Sequence, residues 1–199
     1  MRFHAKFRKC FLTVAAALLV VGTLPQVQGN AQEIKGPGAA IRPSANGVTI
    51  YVSKKNKTVT LKQYSNTIGT YQASIGRNSS SGDKTMEGDA RTPSGSYYVC
   101  TRNDKSSYYL ALGVSYPSAE DAEKGYEDGI ITEEERDAIV EANRKGEQPP
   151  WDTALGGAIE IHGCRGDGPG TAGCIAVDNE VMDILWEYCN LGVPITVGP

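Results

Sequence analysis

Two cysteines and one histidine fall within residues 159–177, IEIHGCRGDGPGTAGCIAV, and this run holds the residue types best suited to chemistry. The alternation in AIEIH reads as a strand with Ala158, Glu160 and His162 on one face and Ile159 and Ile161 on the other. His162 therefore stands at a strand end. Glycines at 163, 166, 168, 170 and 173 let the following loop fold back, which brings Cys174, at the start of GCIAV, beside His162. A free thiol with a pKa of about 8.5 is only a few per cent thiolate at neutral pH, and an adjacent imidazole makes it a nucleophile. Gly173 leaves room for a substrate carbonyl to approach the backbone, so the Gly173 and Cys174 amides read as an oxyanion hole.

The count of imidazoles narrows the choice. The chain has two histidines, His4 and His162, and His4 lies in a leader, so any mechanism needing an imidazole uses His162. Cys164 competes with Cys174, because residues two apart on a strand share a face. Its loop follows it, however, and offers no backbone cradle for an oxyanion. A zinc site of His162, Cys164, Cys174 and Cys189 has suitable ligand types, but its spacing matches no paired knuckle. KGYEDGIITEEE resembles half of a calcium loop, yet Lys124 and Tyr126 occupy the first two ligand positions. No metal and no cofactor are expected.

These residues need a scaffold and a compartment. Residues 1–31 begin with the basic MRFHAKFRK and continue into an apolar run of about fifteen residues, shorter than the roughly 20 that a spanning helix needs. They read as a signal peptide, with no stable membrane span expected and export to the periplasm or cell envelope. Residues 1–31 hold four of the 20 basic residues and none of the 23 acidic ones, so the remainder carries −7. That balance excludes a basic nucleic-acid surface. Residues 32–45, rich in Gly, Pro, Ala and Ser, read as a linker, and 46–199 as one domain. An exported compartment permits disulfides, so Cys100, Cys164, Cys174 and Cys189 allow two bridges or a catalytic thiol with one cysteine unpaired.

Strand alternation recurs in VTIYVSK, KTVTLKQ, TIGTYQASIG, GSYYVC, SSYYLALGVSY, AIEIH, GCIAV and VPITV. Two helices interrupt it. TEEERDAIVEANRKG has a capping box from Thr132 to Glu135 and ends at Gly146; NEVMDILWEYC reads as capped by Asn179. Residues 119–150 read as a helical insertion, either a lid or a surface excursion, ending beside Trp151.

At these residues the sequence resembles the L,D-transpeptidase catalytic domain, the YkuD-like family. The likeness rests on Ile161-His162-Gly163, then Thr171-Ala172-Gly173-Cys174-Ile175, then Asn179, with upstream support from YQASIG and GDARTPSGSYYV and further matches at LALGVSYPSAEDA and LGVPITV. The resemblance covers about residues 46–199. It implies a mainly β, sandwich-like fold with short helices and the helical insertion. It also implies acyl transfer on peptidoglycan stem peptides, with Cys174 as nucleophile, His162 as base and the Gly163 carbonyl orienting the imidazole. The Gly173 and Cys174 amides would be the oxyanion donors, and Thr171 would contact substrate. Many family members have His before the Gly-Cys pair and Arg two residues after the Cys, where this chain has Ala172 and Ala176. Arg165 or Arg91 is then the candidate partner for a substrate carboxylate. Hydrolysis as a carboxypeptidase or an amidase, a wall-anchored lipoprotein as partner, and a non-catalytic wall-binding domain stay open as alternatives.

Overall fold

The computed structural model describes residues 46–199, so the leader and linker readings lie outside it. Strands β1 (Val48–Ser53), β2 (Thr58–Gln63) and β3 (Asn66–Gln72) are followed by β4 (Gly95–Ser106) and β5 (Tyr109–Val114). Helices α1 (Ala119–Glu127) and α2 (Glu133–Lys145) come next, and then β6 (Glu160–His162), β7 (Ile175–Ala176), α3 (Asn179–Tyr188) and β8 (Pro194–Gly198). The strands form one sheet in the order β3-β2-β1-β8-β4-β5-β6-β7. Among the described residues no helix is long and apolar enough to cross a membrane.

Alternation builds the core. Val48, Ile50 and Val52 of β1, Val59 and Leu61 of β2, and Ile195 and Val197 of β8 are all buried, while Tyr51 and Thr196 between them are exposed. Each such side chain contributes about 1.5–3 kcal/mol of burial free energy. The long β4 belongs to both halves of the sheet: Gly95–Tyr98 pairs with β8, and from Val99 onward it pairs with β5 across two irregularities. Bulges of this kind bend a strand, and the sheet curls over one core that joins Ile50 and Leu61 to Leu112, Ile161 and Ile175, with Met182 and Leu185 of α3. The expected sandwich-like β fold is therefore one curled sheet. The strand read through Gly76 stops at Gln72, and its continuation crosses to the other edge, where Ser74 bridges Ala176 and Gly76 bridges Thr171. That closure brings the segment after β3 against the loop carrying Cys174.

Helix α2 has the expected capping box, with Thr132 Oγ1 accepting from Glu135 N at 3.2 Å and Gly146 at φ +75°. Helix α1, capped by Ser118 and Asp121, has no counterpart in the sequence reading. Gly125, a poor helix former, interrupts its pattern, and it is needed for packing, since a Cβ there would lie 2.8 Å from Leu155 Cδ2. The two helices share a small core of Ala122, Ile131, Ile139 and Leu155. A buried hydrogen bond from Asn143 Nδ2 to Pro117 O (2.9 Å) and a half-buried one from Tyr98 Oη to Glu147 O (2.7 Å) tie the insertion to the sheet. Asp128 and Glu135, the acids of the calcium-loop likeness, bind Lys124 and the α2 cap. Trp151 packs on Gly157, where a Cβ would meet its ring at 2.4 Å. Cys100, Cys164, Cys174 and Cys189 are all free thiols, so neither bridge is formed.

Candidate active site

Strands β6 and β7 run parallel, with Ile161 beside Ile175 and His162 beside Ala176. A parallel return needs a crossover of about a dozen residues, and the loop 163–174 meets that minimum without a helix. Ile161 and Ile175 point into the core, so the pleat puts His162 and Ala176 on the opposite face. Cys174 immediately precedes β7, in the position that the register carries level with Glu160. Its Sγ lies 3.5 Å from Ala158 O.

The imidazole is held in one tautomer. His162 Nδ1 lies 2.7 Å from Gly163 O, and a carbonyl only accepts, so Nδ1 carries the hydrogen and Nε2 presents a lone pair. Tyr108 covers the ring, with centroids 4.7 Å apart and planes tilted by 31°. Burial pushes the His162 pKa below its ordinary value, and the Gly163 bond only partly opposes this. Burial also pushes the Cys174 thiol up, against a backbone hydrogen bond at Glu160; the Glu160 carboxylate adds to the rise and Lys84 reduces it. Both shifts favour the uncharged form, the imidazole of His162 and the thiol of Cys174.

A pH dependence follows. A depressed imidazole pKa keeps His162 unprotonated to lower pH, so the acid limb of kcat/KM for acyl transfer should have its midpoint below about 6.5. A pH–rate profile with an acid midpoint above that value would contradict the lowered His162 pKa.

Cys164 is placed differently from Cys174. The two-residue spacing suggested that it shares a face with His162, but Cys164 has φ +57° and the strand ends at His162. Cys164 is exposed, and its N–H donates to Asn179 Oδ1 at 2.8 Å. This also corrects the reading of Asn179 as a cap. The α3 N-cap is Asp178, without a side-chain cap bond, and Asn179 instead pins the turn after His162.

The amides around Gly173 divide their roles. Gly173 N donates to Thr171 Oγ1 at 3.0 Å, and Thr171 Oγ1 donates to Cys174 O at 2.7 Å. Thr171 thus braces the loop with both sides of its hydroxyl. The Gly173 amide, read as an oxyanion donor, is committed to it. Gly173 itself sits at φ +142°, where a Cβ would lie 2.9 Å from Ile159 Cδ1 and 3.0 Å from Arg91 O. Gly173→Ala is expected to lower stability by about 1–3 kcal/mol, measurable as a shifted denaturation midpoint.

The L,D-transpeptidase catalytic domain model matches residues 47–197, nearly the whole described chain. The chain belongs to this family. No curated protein sequence matches it. Among solved structures it is similar to the helical cell shape determining protein Pgp2 (K307A mutant) from Campylobacter jejuni, at 21% identity and TM-score 0.53, covering 78% of this chain and 48% of the other. Bd1075 of Bdellovibrio bacteriovorus is similar at 22% identity and TM-score 0.50, covering 77% of this chain and 48% of that one. The chain therefore spans about half the length of these proteins, and the likeness is one of fold.

Within this L,D-transpeptidase domain, Ala176 is buried between His162 and Ser74. Of the two arginines considered in its place, Arg165 holds Asp178 with a two-pronged contact at 3.0 and 3.1 Å, so its charge is already paired. Arg91 donates from Nη1 to Asp83 O at 3.0 Å, while its Nε is buried without a partner. Tyr108 joined the site without a signal in the local sequence, whereas Thr92 lies in the GDARTPSGSYYV segment that carries part of the family likeness.

Proposed function

We propose that the domain is an exported cysteine acyltransferase acting on peptidoglycan stem peptides through an acyl-enzyme on Cys174. The observation that carries this reading is the Nδ1 bond of His162 to Gly163 O, which leaves Nε2 free to act as a base at the end of β6, beside the strand that Cys174 immediately precedes. Sγ attacks the carbonyl carbon between diaminopimelate and D-alanine while its proton passes to Nε2. A C–S bond forms, and the carbonyl π pair moves to oxygen, where the Cys174 N–H receives the charge. Collapse restores the carbonyl and breaks the C–N bond, and the proton on His162 leaves with the D-alanine amine. An amine of a second stem peptide then attacks the thioester carbonyl while His162 Nε2 takes its proton; the C–S bond breaks and His162 returns the proton to sulfur, and water in place of the amine gives hydrolysis. A wall substrate requires export, in agreement with the basic and then apolar leader over residues 1–31.

Wall fragments digested with wild type and Cys174→Ala, with products read by mass, test the reading. D-alanine loss with a new dimer means transfer, and loss without a dimer means carboxypeptidase action. Release of an attached protein means an amidase. Identical products from both proteins would overturn the proposal.

A further inference from the structure

We infer that Thr92 is a positioning residue that aims the Cys174 amide at the reacting carbonyl oxygen, an inference that rests on the acyl-transfer reading above. Thr92 is fully buried in the loop before β4. Its Oγ1 accepts from Gly76 N at 2.8 Å and donates to Gly173 O at 2.8 Å, and its own N–H donates to Ser79 Oγ at 2.9 Å. The direction of these bonds is unambiguous, because Gly76 N can only donate and Gly173 O can only accept. The single hydroxyl proton therefore goes to Gly173.

The consequence lies in the next peptide plane. In a trans peptide the carbonyl of Gly173 and the N–H of Cys174 point in opposite directions, so a bond that fixes one fixes the other. Cys174 N–H donates to no group among the described residues, whereas Gly173 N–H is held by Thr171. A glycine at φ +142° tolerates rotation of its following peptide more readily than any other residue. Rotation would present a carbonyl oxygen, an acceptor, where the developing oxyanion needs a donor. The buried Thr92 hydroxyl opposes that rotation. It also joins Gly76, at the closure of the two sheet edges, to the residue preceding the nucleophile.

The test uses Thr92→Val, which keeps the shape without the hydroxyl, and Thr92→Ser, which keeps the hydroxyl. Two reactions of Cys174 are compared. Acylation by p-nitrophenyl acetate forms a C–S bond, passes through an oxyanion and expels p-nitrophenolate. Alkylation by iodoacetamide forms a C–S bond, expels iodide and has no oxyanion. Each rate is taken as the part lost in Cys174→Ala. Thr92→Val should slow acylation by at least about 10-fold, up to the about 10²–10³-fold that loss of an oxyanion donor costs. Its alkylation should stay within about 2-fold of wild type, and Thr92→Ser should recover most of the acylation rate. Equal slowing of both reactions, unchanged acylation in Thr92→Val, or no recovery in Thr92→Ser would overturn the assignment. Because the probe ester is not a wall peptide, failure to release D-alanine from a stem peptide would count against the proposed substrate and leave this result readable.

Discussion

Replacing His162 with alanine is expected to slow acyl transfer by about 10²–10⁴-fold, the range attributed to a positioned general base. The loss should be this large because His162 is the sole imidazole among the described residues and presents a lone pair at Nε2. The thiol is pushed up by burial, with Glu160 adding negative charge beside it, so few molecules hold a thiolate without assistance. Glu160 is itself half-buried, and burial raises its carboxyl. It stands in the β6 register beside Gly113, as His162 does beside Ala111. The activity of His162→Ala should recover as pH rises toward the Cys174 pKa, because hydroxide then does the work of the imidazole. Stopped-flow acylation across pH checks this: wild type should level off above its acid limb, and the variant should keep climbing. A variant within about 10-fold of wild type at neutral pH would remove His162 from the mechanism.

The largest effect on stability should come from Lys84→Met. Lys84 and Asp89 form an ion pair at 3.1 Å with side chains 3% and 9% exposed. Lys84 Nζ also donates to Met86 O at 2.9 Å and lies 5.5 Å from the Tyr116 ring centroid. Asp89 in turn accepts from the amides of Thr85, Met86 and Arg91, and so shapes the loop that leads to Thr92. Removing one partner of a buried pair costs about 3–5 kcal/mol, which for a domain of this size lowers Tm by about 6–20 °C. The pH dependence has a definite sign. Burial raises the Asp89 carboxyl, but hydrogen bonds from Thr85, Arg91, Lys84 and Met86 outweigh it and hold the pKa below its ordinary value. A depressed carboxyl stabilises the fold above the unfolded pKa of about 3.9 and loses that contribution as pH falls through the folded value. Without Lys84 the carboxyl rises, so acid unfolding should begin at higher pH. Thermal melts of both proteins between neutral pH and pH 3 measure this, and equal Tm values would show that the pair contributes nothing.

Much of this was legible in the chain because local chemistry and tertiary role agree. Val48, Ile50 and Val52 alternate as a half-buried strand must, and Thr132 with Glu135 announces α2. His162 stood out as the sole imidazole beyond residues 1–31, and the glycines after it signalled a return of the chain. Asn179 misled because its residue type suits a cap, while the helix takes Asp178 and uses Asn179 to hold Cys164 N. Helix α1 stayed hidden because Gly125 serves packing against Leu155 at the expense of helix propensity. Thr92 reads locally as a turn residue; its partner Gly173 is 81 positions away and becomes a neighbour only when the segment after β3, through Ser74 and Gly76, bridges the edge carrying β7. Tyr108 meets His162 for a similar reason, through the pairing of β5 with β6.

The most direct measurement is the intact mass and peptide map of the protein after acid quench of its reaction with a stem tetrapeptide ending in diaminopimelate and D-alanine. The account predicts a tripeptide acyl group on Cys174, one D-alanine released per adduct in the first turnover, and no adduct in Cys174→Ala. An adduct mapping to Cys164, or D-alanine released by Cys174→Ala at the wild-type rate, would contradict it.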